Sequence, residues 1–268
     1  MSEQTLRLDP VSVQTLHLDA GSEQTLRLDL VYEGTRFKGW ARQPGLRTVE
    51  GVLEEALAVA LREPVRLRVA GRTDAGVHAF AQVASCVVSA PVRSCDRVRL
   101  SLNALLPEDV AVTAVTPAAP GFDARAAAGR TYRYRLWLSP VRPVAERAYV
   151  WNIRGALDTD ALRRVAAPLV GERDFAALTP SAHLYHHCVR EVRRAVWSPV
   201  EGTPEWVFEI NAASFLHNMV RVAVGSMVDV AQGRMTQEEL EEGLRGGRRA
   251  AMGQTAPARG LALVGAEY

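Results

Sequence analysis

Lysine is almost absent from this chain: Lys38 is the only one, and the other 31 basic side chains are arginines. Cysteine is scarce too. Cys86, Cys95 and Cys188 lack the paired spacing of a zinc ribbon, and three are too few for a disulfide scaffold. No apolar run approaches the roughly 20 residues of a membrane helix, and Glu3, Arg7 and Asp9 stand where a secretory signal would be apolar. These absences predict a cytoplasmic protein with no membrane partner. Neither sign of charge is in excess: 32 basic against 30 acidic side chains leave a formal net charge of +2, so there is no chain-wide basic signature. What is present is ordinary for a globular protein. Hydrophobic residues make up 48% of 268, enough to bury the core of one large domain or two medium ones.

The arginine bias has two readings. A guanidinium grips phosphate bidentately and stacks on bases, which suits a nucleic-acid partner. A GC-rich genome gives the same total and explains the abundant Ala, Val and Gly as well. The local clusters Arg130, Arg133, Arg135 and Arg245, Arg248, Arg249 remain candidate RNA contacts.

The first thirty residues repeat with period ten: Gln4 to Asp9, Gln14 to Asp19 and Gln24 to Asp29. Three copies are too few for a solenoid. The third runs into alternating Leu26, Leu28 and Leu30 and reads as the first strand, which leaves 1–24 as an N-terminal extension. Beyond it, Thr48 caps a helix with the stripe Val49, Val52, Leu53, Ala56. Strands are expected over 67–69, 82–88, 110–115, 131–138, 189–197, 206–212 and 261–264. Helices are expected over 96–106, 159–170 and 216–231, and a last one opens on the capping box Thr236 and Glu239. The segment Ala118–Gly121 reads as a linker. The mixture predicts an α+β protein of two similar α/β halves, 25–120 and 121–268, around a mostly antiparallel sheet.

The chemistry concentrates in Gly71-Arg-Thr-Asp-Ala-Gly-Val-His-Ala-Phe80. Gly71 and Gly76 flank Asp74 and permit backbone conformations closed to other residues, and Arg72 adds a cation to the same space. A carboxylate so presented can attack or stabilise an anomeric carbon, as in a retaining glycosidase, although no second acid lies beside it. A surface turn in which Arg72 and Asp74 simply pair reads equally well. A second candidate is Arg221, a cation in the apolar helix Phe215–Gly225; buried arginines are paired, and Asp74 is a plausible partner. A third is Arg130-Thr-Tyr-Arg-Tyr-Arg-Leu-Trp137, where period two sets Tyr132 and Tyr134 on one face, either in a core or as a stacking platform. The run His183-Leu-Tyr-His-His-Cys188 has ligand residue types without zinc spacing, and reads as a polar loop.

Taken in order, these pieces resemble the tRNA pseudouridine synthase A family. The signature runs through Tyr32-Glu-Gly-Thr35, Phe37-Lys-Gly-Trp40, Gln43-Pro44, Thr48-Val-Glu-Gly51, Gly71 to Ala79, Leu105-Leu-Pro107 and Phe122-Asp-Ala-Arg125. It continues through Tyr132-Arg-Tyr134, Asp174-Phe175, Met219-Val-Arg221 and Ala256-Pro257 with Gly260-Leu261, spanning about residues 25 to 268. The resemblance implies an isomerase that converts uridine to pseudouridine at positions 38 to 40 of the tRNA anticodon stem-loop, with no cofactor and no metal. It implies Asp74 as the nucleophile, Arg72 as the residue that helps flip the uridine, Tyr132 as the stacking tyrosine and Arg221 as the cation paired with the aspartate. Substrate binding is likewise implied for His78 and Arg125. The partner is tRNA, not DNA, held by a homodimer, with a catalytic cleft between the halves of the pseudouridine synthase fold.

Some positions depart from the family pattern. Glu33 and Ala41 replace the usual Asp and Gln, Asp123 stands where His is common, and Ala258 replaces a frequent Pro. The stretch from Phe122 to Tyr132 is one residue shorter than usual, which leaves open whether Tyr132 or Tyr134 is the stacking residue. Two rival readings are weaker. Thr73-Asp74-Ala75-Gly76 faintly echoes an aspartic protease loop, but no second loop exists. A non-catalytic RNA-binding module on the same fold would have no need of Asp74 and Arg221 together.

Overall fold

The alternating leucines of the third repeat build an innermost strand. In the computed structural model, which describes residues 23–268, β1 (Gln24–Tyr32) buries Leu26, Leu28 and Leu30 to 1% exposure or less. The first two repeat copies lie outside the described residues. After β1 come α1 (Val49–Leu61), β2 (Arg68–Val69), β3 (His78–Val88), α2 (Cys95–Leu105) and β4 (Val110–Pro117). Thr48 caps α1 as its sequence predicts, accepting the Gly51 N–H. The second half supplies β5 (Gly129–Leu138), β6 (Trp151–Ile153), α3 (Thr159–Ala166), β7 (Gly171–Asp174), β8 (Val189–Pro199) and β9 (Glu205–Ala212). It closes with α4 (Met219–Ala231), α5 (Gln237–Gly246) and β10 (Leu261–Glu267).

Among the described residues all ten strands join one sheet in the order β4-β1-β3-β10-β5-β9-β8-β7, with β2 beside β3 and β6 beside β5. Pairing is antiparallel except for β10 with β3 and β6 with β5. The last strand of the chain therefore lies at the middle of the sheet. It pairs with β3 through Ala262 and Leu263, and with β5 from Leu261 to Glu267. One continuous core follows, from Leu28, Leu53 and Leu57 through Leu263 and Tyr134 to Phe208, Val224 and Phe175.

Three local departures from the sequence reading have simple causes. Strands β6 and β7 are too short, and β7 (Gly-Glu-Arg-Asp) too polar, to show a period of two. Helix α3 gives way at Ala166 to a 3-10 turn that carries Pro168, which lacks the N–H needed to continue the ladder. Helix α4 starts three residues after Leu216 because Asn218, its N-cap, sits in the left-handed region at φ 60°.

Candidate active site

The loop between β2 and β3 carries Asp74, and its conformation is fixed from several sides. Gln82 Nε2 donates to Gly71 O at 2.8 Å and to the Tyr32 hydroxyl at 3.1 Å. That hydroxyl in turn shares a hydrogen bond with Thr73 Oγ1 at 2.7 Å. Tyr32 is buried among these groups, and burial pushes its phenol up to about 12. Trp40 N–H donates to Thr73 O, Gly76 N–H to Phe37 O, and Val77 N–H to Asp74 O, closing the turn that presents the carboxylate. Gly76 needs its residue type, with φ +79° and Ala258 Cβ 3.0 Å from where a Cβ would sit. Gly71 does not have the positive φ expected of it. It is the small residue against which Tyr132 packs, the hydroxyl lying 3.5 Å from an ideal Cβ.

Asp74 faces a cleft of about 620 Å³. One wall is Lys38 to Ala41 with Ala70 to Ala75; the other is Ser214 to Val220, with Tyr132, Arg130, Tyr185 and Leu261 completing the lining. The carboxylate is 22% exposed. Burial raises its pKa above the ordinary 3.8, and His217, Arg221 and the Asn218 backbone N–H, which donates to it, pull in the opposite direction. Asn218 caps α4, so the carboxylate meets the positive end of that helix.

The expected pairing of Asp74 with Arg221 is not what the geometry shows. Arg221 Nε donates to Ala256 O at 2.9 Å and Nη1 to Asn218 Oδ1 at 2.7 Å, so the guanidinium acts on Asp74 through space and through Asn218. A cation one turn into α4 finds a carbonyl and an amide closer at hand than the loop carboxylate. The closest cationic residue type to Asp74 is instead His217, whose Nε2 lies 3.6 Å from Oδ1. Because Arg221 occupies the amide oxygen of Asn218, its Nδ2 is left to donate to His217 Nε2 at 3.2 Å. The proton of the neutral ring then sits on Nδ1, 2.9 Å from Ser181 Oγ. A second proton at Nε2 would set a positive charge beside Asp74.

Among the other expected site residues, Tyr132 lines the cleft, edge-on to Phe215 at 5.1 Å between ring centroids. Burial, then the neighbouring Tyr32 and Asp74, drive its phenol far above the usual range, so it stays neutral. Tyr134 turns its hydroxyl to Pro257 O at 2.7 Å beneath β10, which leaves Tyr132 as the cleft tyrosine. Arg72 is exposed on the cleft lip, in no ion pair among the described residues.

His78 and Arg125 stand apart. His78 is 1% exposed, accepts the Gly34 N–H at Nδ1 and reaches Ala148 O and Arg259 O with Nε2, so it braces loops and does not line the cleft. Arg125 pairs with Asp123 at 2.6 Å on the protein surface, and the pairing holds the Asp123 carboxyl at about 2.

Three cleft residues gave little sign of themselves in the sequence. His217 and Asn218 fall within the helix expected over 216–231 and are given no role there. The available signal was Asn at the N-cap, a residue that tolerates the left-handed region. Tyr185 was hidden in the histidine-rich loop, and its hydroxyl accepts the His217 N–H at 2.9 Å. Arg130 belonged to a cluster that the structure divides. Its neighbours Arg133 and Arg135 pair with Glu209 and Glu205 on the other face of β5. Arg130 itself donates to Ala70 O, Ala127 O, Arg125 O and Ala213 O, joining the two cleft walls through carbonyls alone.

Comparison with known proteins gives the family. A family model described as tRNA pseudouridine synthase matches residues 31–125 and 165–268. The chain is 41% identical over 237 residues to the tRNA pseudouridine synthase A of Geobacter sulfurreducens, covering 87% of this chain and 95% of that one. It is 43% identical over 245 residues to the protein of the same name from Solidesulfovibrio magneticus, covering 89% of each. Among solved structures, a Cbf5-Nop10-Gar1 complex aligns at 12% identity and a TM-score of 0.35, over 76% of this chain and 54% of that chain, which is too slight to carry weight. With about 40% identity across most of its length and a family match to both halves of the sheet, the chain belongs to the tRNA pseudouridine synthase family and is an isomerase.

Proposed function

We propose that this enzyme converts uridine to pseudouridine at positions 38, 39 and 40 of the tRNA anticodon stem-loop, with Asp74 acting at the sugar. The observation that carries the reading is a half-buried carboxylate on a braced loop, opposite a helix N-terminus, in a cleft lined by an unionised tyrosine. The named relatives support tRNA as the substrate, and the motif resemblance supports the anticodon arm.

The reaction breaks the N1–C1′ bond, turns the uracil and joins C5 to C1′; C5 loses a proton and N1 gains one, so nothing else is consumed. The base must leave its stack to reach Asp74. In this reading Arg72, on the lip, fills the space the base vacates, and Tyr132 meets the flipped ring. Uracil is a good leaving group because its nitrogen anion is delocalised over two carbonyls, which removes the need for a second acid beside Asp74. Asp74 either attacks C1′ or removes the 2′ proton, and a 2′-deuterium isotope effect separates the two. The walls of the cleft keep water from the sugar intermediate. We extend the proposal to a cytoplasmic homodimer, as the family resemblance implies; sedimentation of the purified protein checks the dimer.

The test is pseudouridine mapping on bulk tRNA incubated with the wild type and with Asp74→Ala. The expected result is modification at 38 to 40 by the wild type only, with tRNA affinity of the variant within a few-fold. Modification by Asp74→Ala would remove Asp74 from its role. A variant that matched the wild type because neither modified tRNA would favour the RNA-binding alternative.

A further inference from the structure

Half of the arginines among the described residues, fifteen of thirty, stand in an ion pair. Arg36, Arg47, Arg68, Arg125, Arg135 and Arg234, for example, each lie within 3.1 Å of a carboxylate oxygen. The cavity between the segment 139–150, β6 and the turn before β10 gathers four of the others. It measures about 380 Å³ and is lined by Arg142, Arg147, Arg154 and Arg259 with no acidic residue. All four are exposed. Three use part of their guanidinium within the cavity walls: Arg147 Nη1 to Val144 O and Arg154 Nε to Asn152 Oδ1 locally, and Arg259 Nε to Val150 O on the facing segment. The remaining N–H donors face the cavity or water. The one acid of the segment, Glu146, does not line the cavity. Four like charges held together oppose folding unless something else selects for them, and the chemistry they match is an anion with several acceptor oxygens.

The cavity is also coupled to the catalytic loop. His78, four residues after Asp74, bonds to Ala148 O at the cavity's outer loop and to Arg259 O at its inner wall. The turn that carries Arg259 leads directly into Leu261, which lines the active cleft. We infer that this cavity is a second RNA-contact site, in which Arg142, Arg147, Arg154 and Arg259 grip backbone phosphates of the substrate tRNA away from the reacting uridine. The inference rests on the proposed tRNA substrate and adds to it a defined surface remote from the base-flipping cleft.

The test is tRNA binding across a potassium chloride series by the wild type, Arg142→Ala/Arg147→Ala and Arg142→Glu/Arg147→Glu. Both positions are on exposed loop backbone, and circular dichroism melting confirms that the variants fold. Each phosphate contact adds about 0.7 to 0.9 to the slope of log Kd against log salt. The double alanine variant is expected to lower that slope by about 1.4 to 1.8, and the charge reversal to weaken binding at least tenfold near physiological salt. Wild-type affinity and slope in both folded variants would overturn the inference. A titration with uridine 5′-monophosphate runs alongside; if the cavity arginines bind it while tRNA affinity and slope stay unchanged, the site takes a free phosphate and the RNA assignment falls. Pseudouridine formation by the wild type in the same tRNA separates failure of this site from failure of the substrate reading.

Discussion

Asp74 is a group that the fold makes harder to ionise. Its pKa is raised by burial, so the protonated form is favoured on folding, and the charge it needs at neutral pH counts against the native state. The sign follows: this residue's stabilising contribution is complete below the unfolded carboxylate value and is lost as pH rises through the higher folded one. Asp74→Asn should therefore abolish turnover and raise the melting temperature at pH 7, by roughly 2–4 °C for each kcal/mol gained in a chain of this size. A melting temperature below wild type would show that the carboxylate is stabilised more by His217 and the α4 N-terminus than it is penalised by burial. His217 is the second residue that bears on this carboxylate. Its charge is one of the influences that lower Asp74, so His217→Gln should shift the acid limb of the kcat/KM profile to higher pH. An unmoved limb with merely reduced turnover would make His217 a scaffold for the cleft wall.

At the scale of the element, α4 does the positioning. Its N-cap holds a left-handed conformation that favours glycine, yet the residue is Asn, whose amide joins Arg221 to His217 while its N–H reaches Asp74. Two substitutions separate these duties. Asn218→Gly retains the backbone and loses the amide, so activity should fall with little change in stability. Asn218→Ala should lose both, with about 1–2 kcal/mol of additional destabilisation read from denaturant unfolding. The same element shows where the sequence was legible and where it was not. Arg221 was found because a cation in an apolar helix is conspicuous, and Thr48 and Thr236 announced the helices they cap. Asp74, Arg72 and Tyr132 were readable because glycines, spacing and period two mark them locally, and all three line one cleft. What escaped was set by contacts distant in sequence. His217 meets Ser181 and Tyr185 across more than thirty positions, and His78 turns inward because Gly34, Ala148 and Arg259 converge on it. No local pattern contains that information.

For the molecule as a whole, the decisive strand is the last. Leu261 and Leu263 of β10 are 3% and 0% exposed, and burying two such side chains contributes about 3–6 kcal/mol, against a typical total stability of roughly 5–15 kcal/mol. Removing residues 261–268 should abolish the single cooperative melting transition and leave a species that aggregates; a truncated protein with a sharp transition would mean that the halves fold independently. The expected α+β sheet is present, but no local pattern in the sequence announced that its centre is completed by its C-terminus. During synthesis β10 is made after β3 and β5, so the edges that those two strands turn toward each other wait open until residues 261–267 emerge. Leu261 also lines the catalytic cleft. A chain terminated before Leu261 thus lacks part of the wall of the cleft that Asp74 faces.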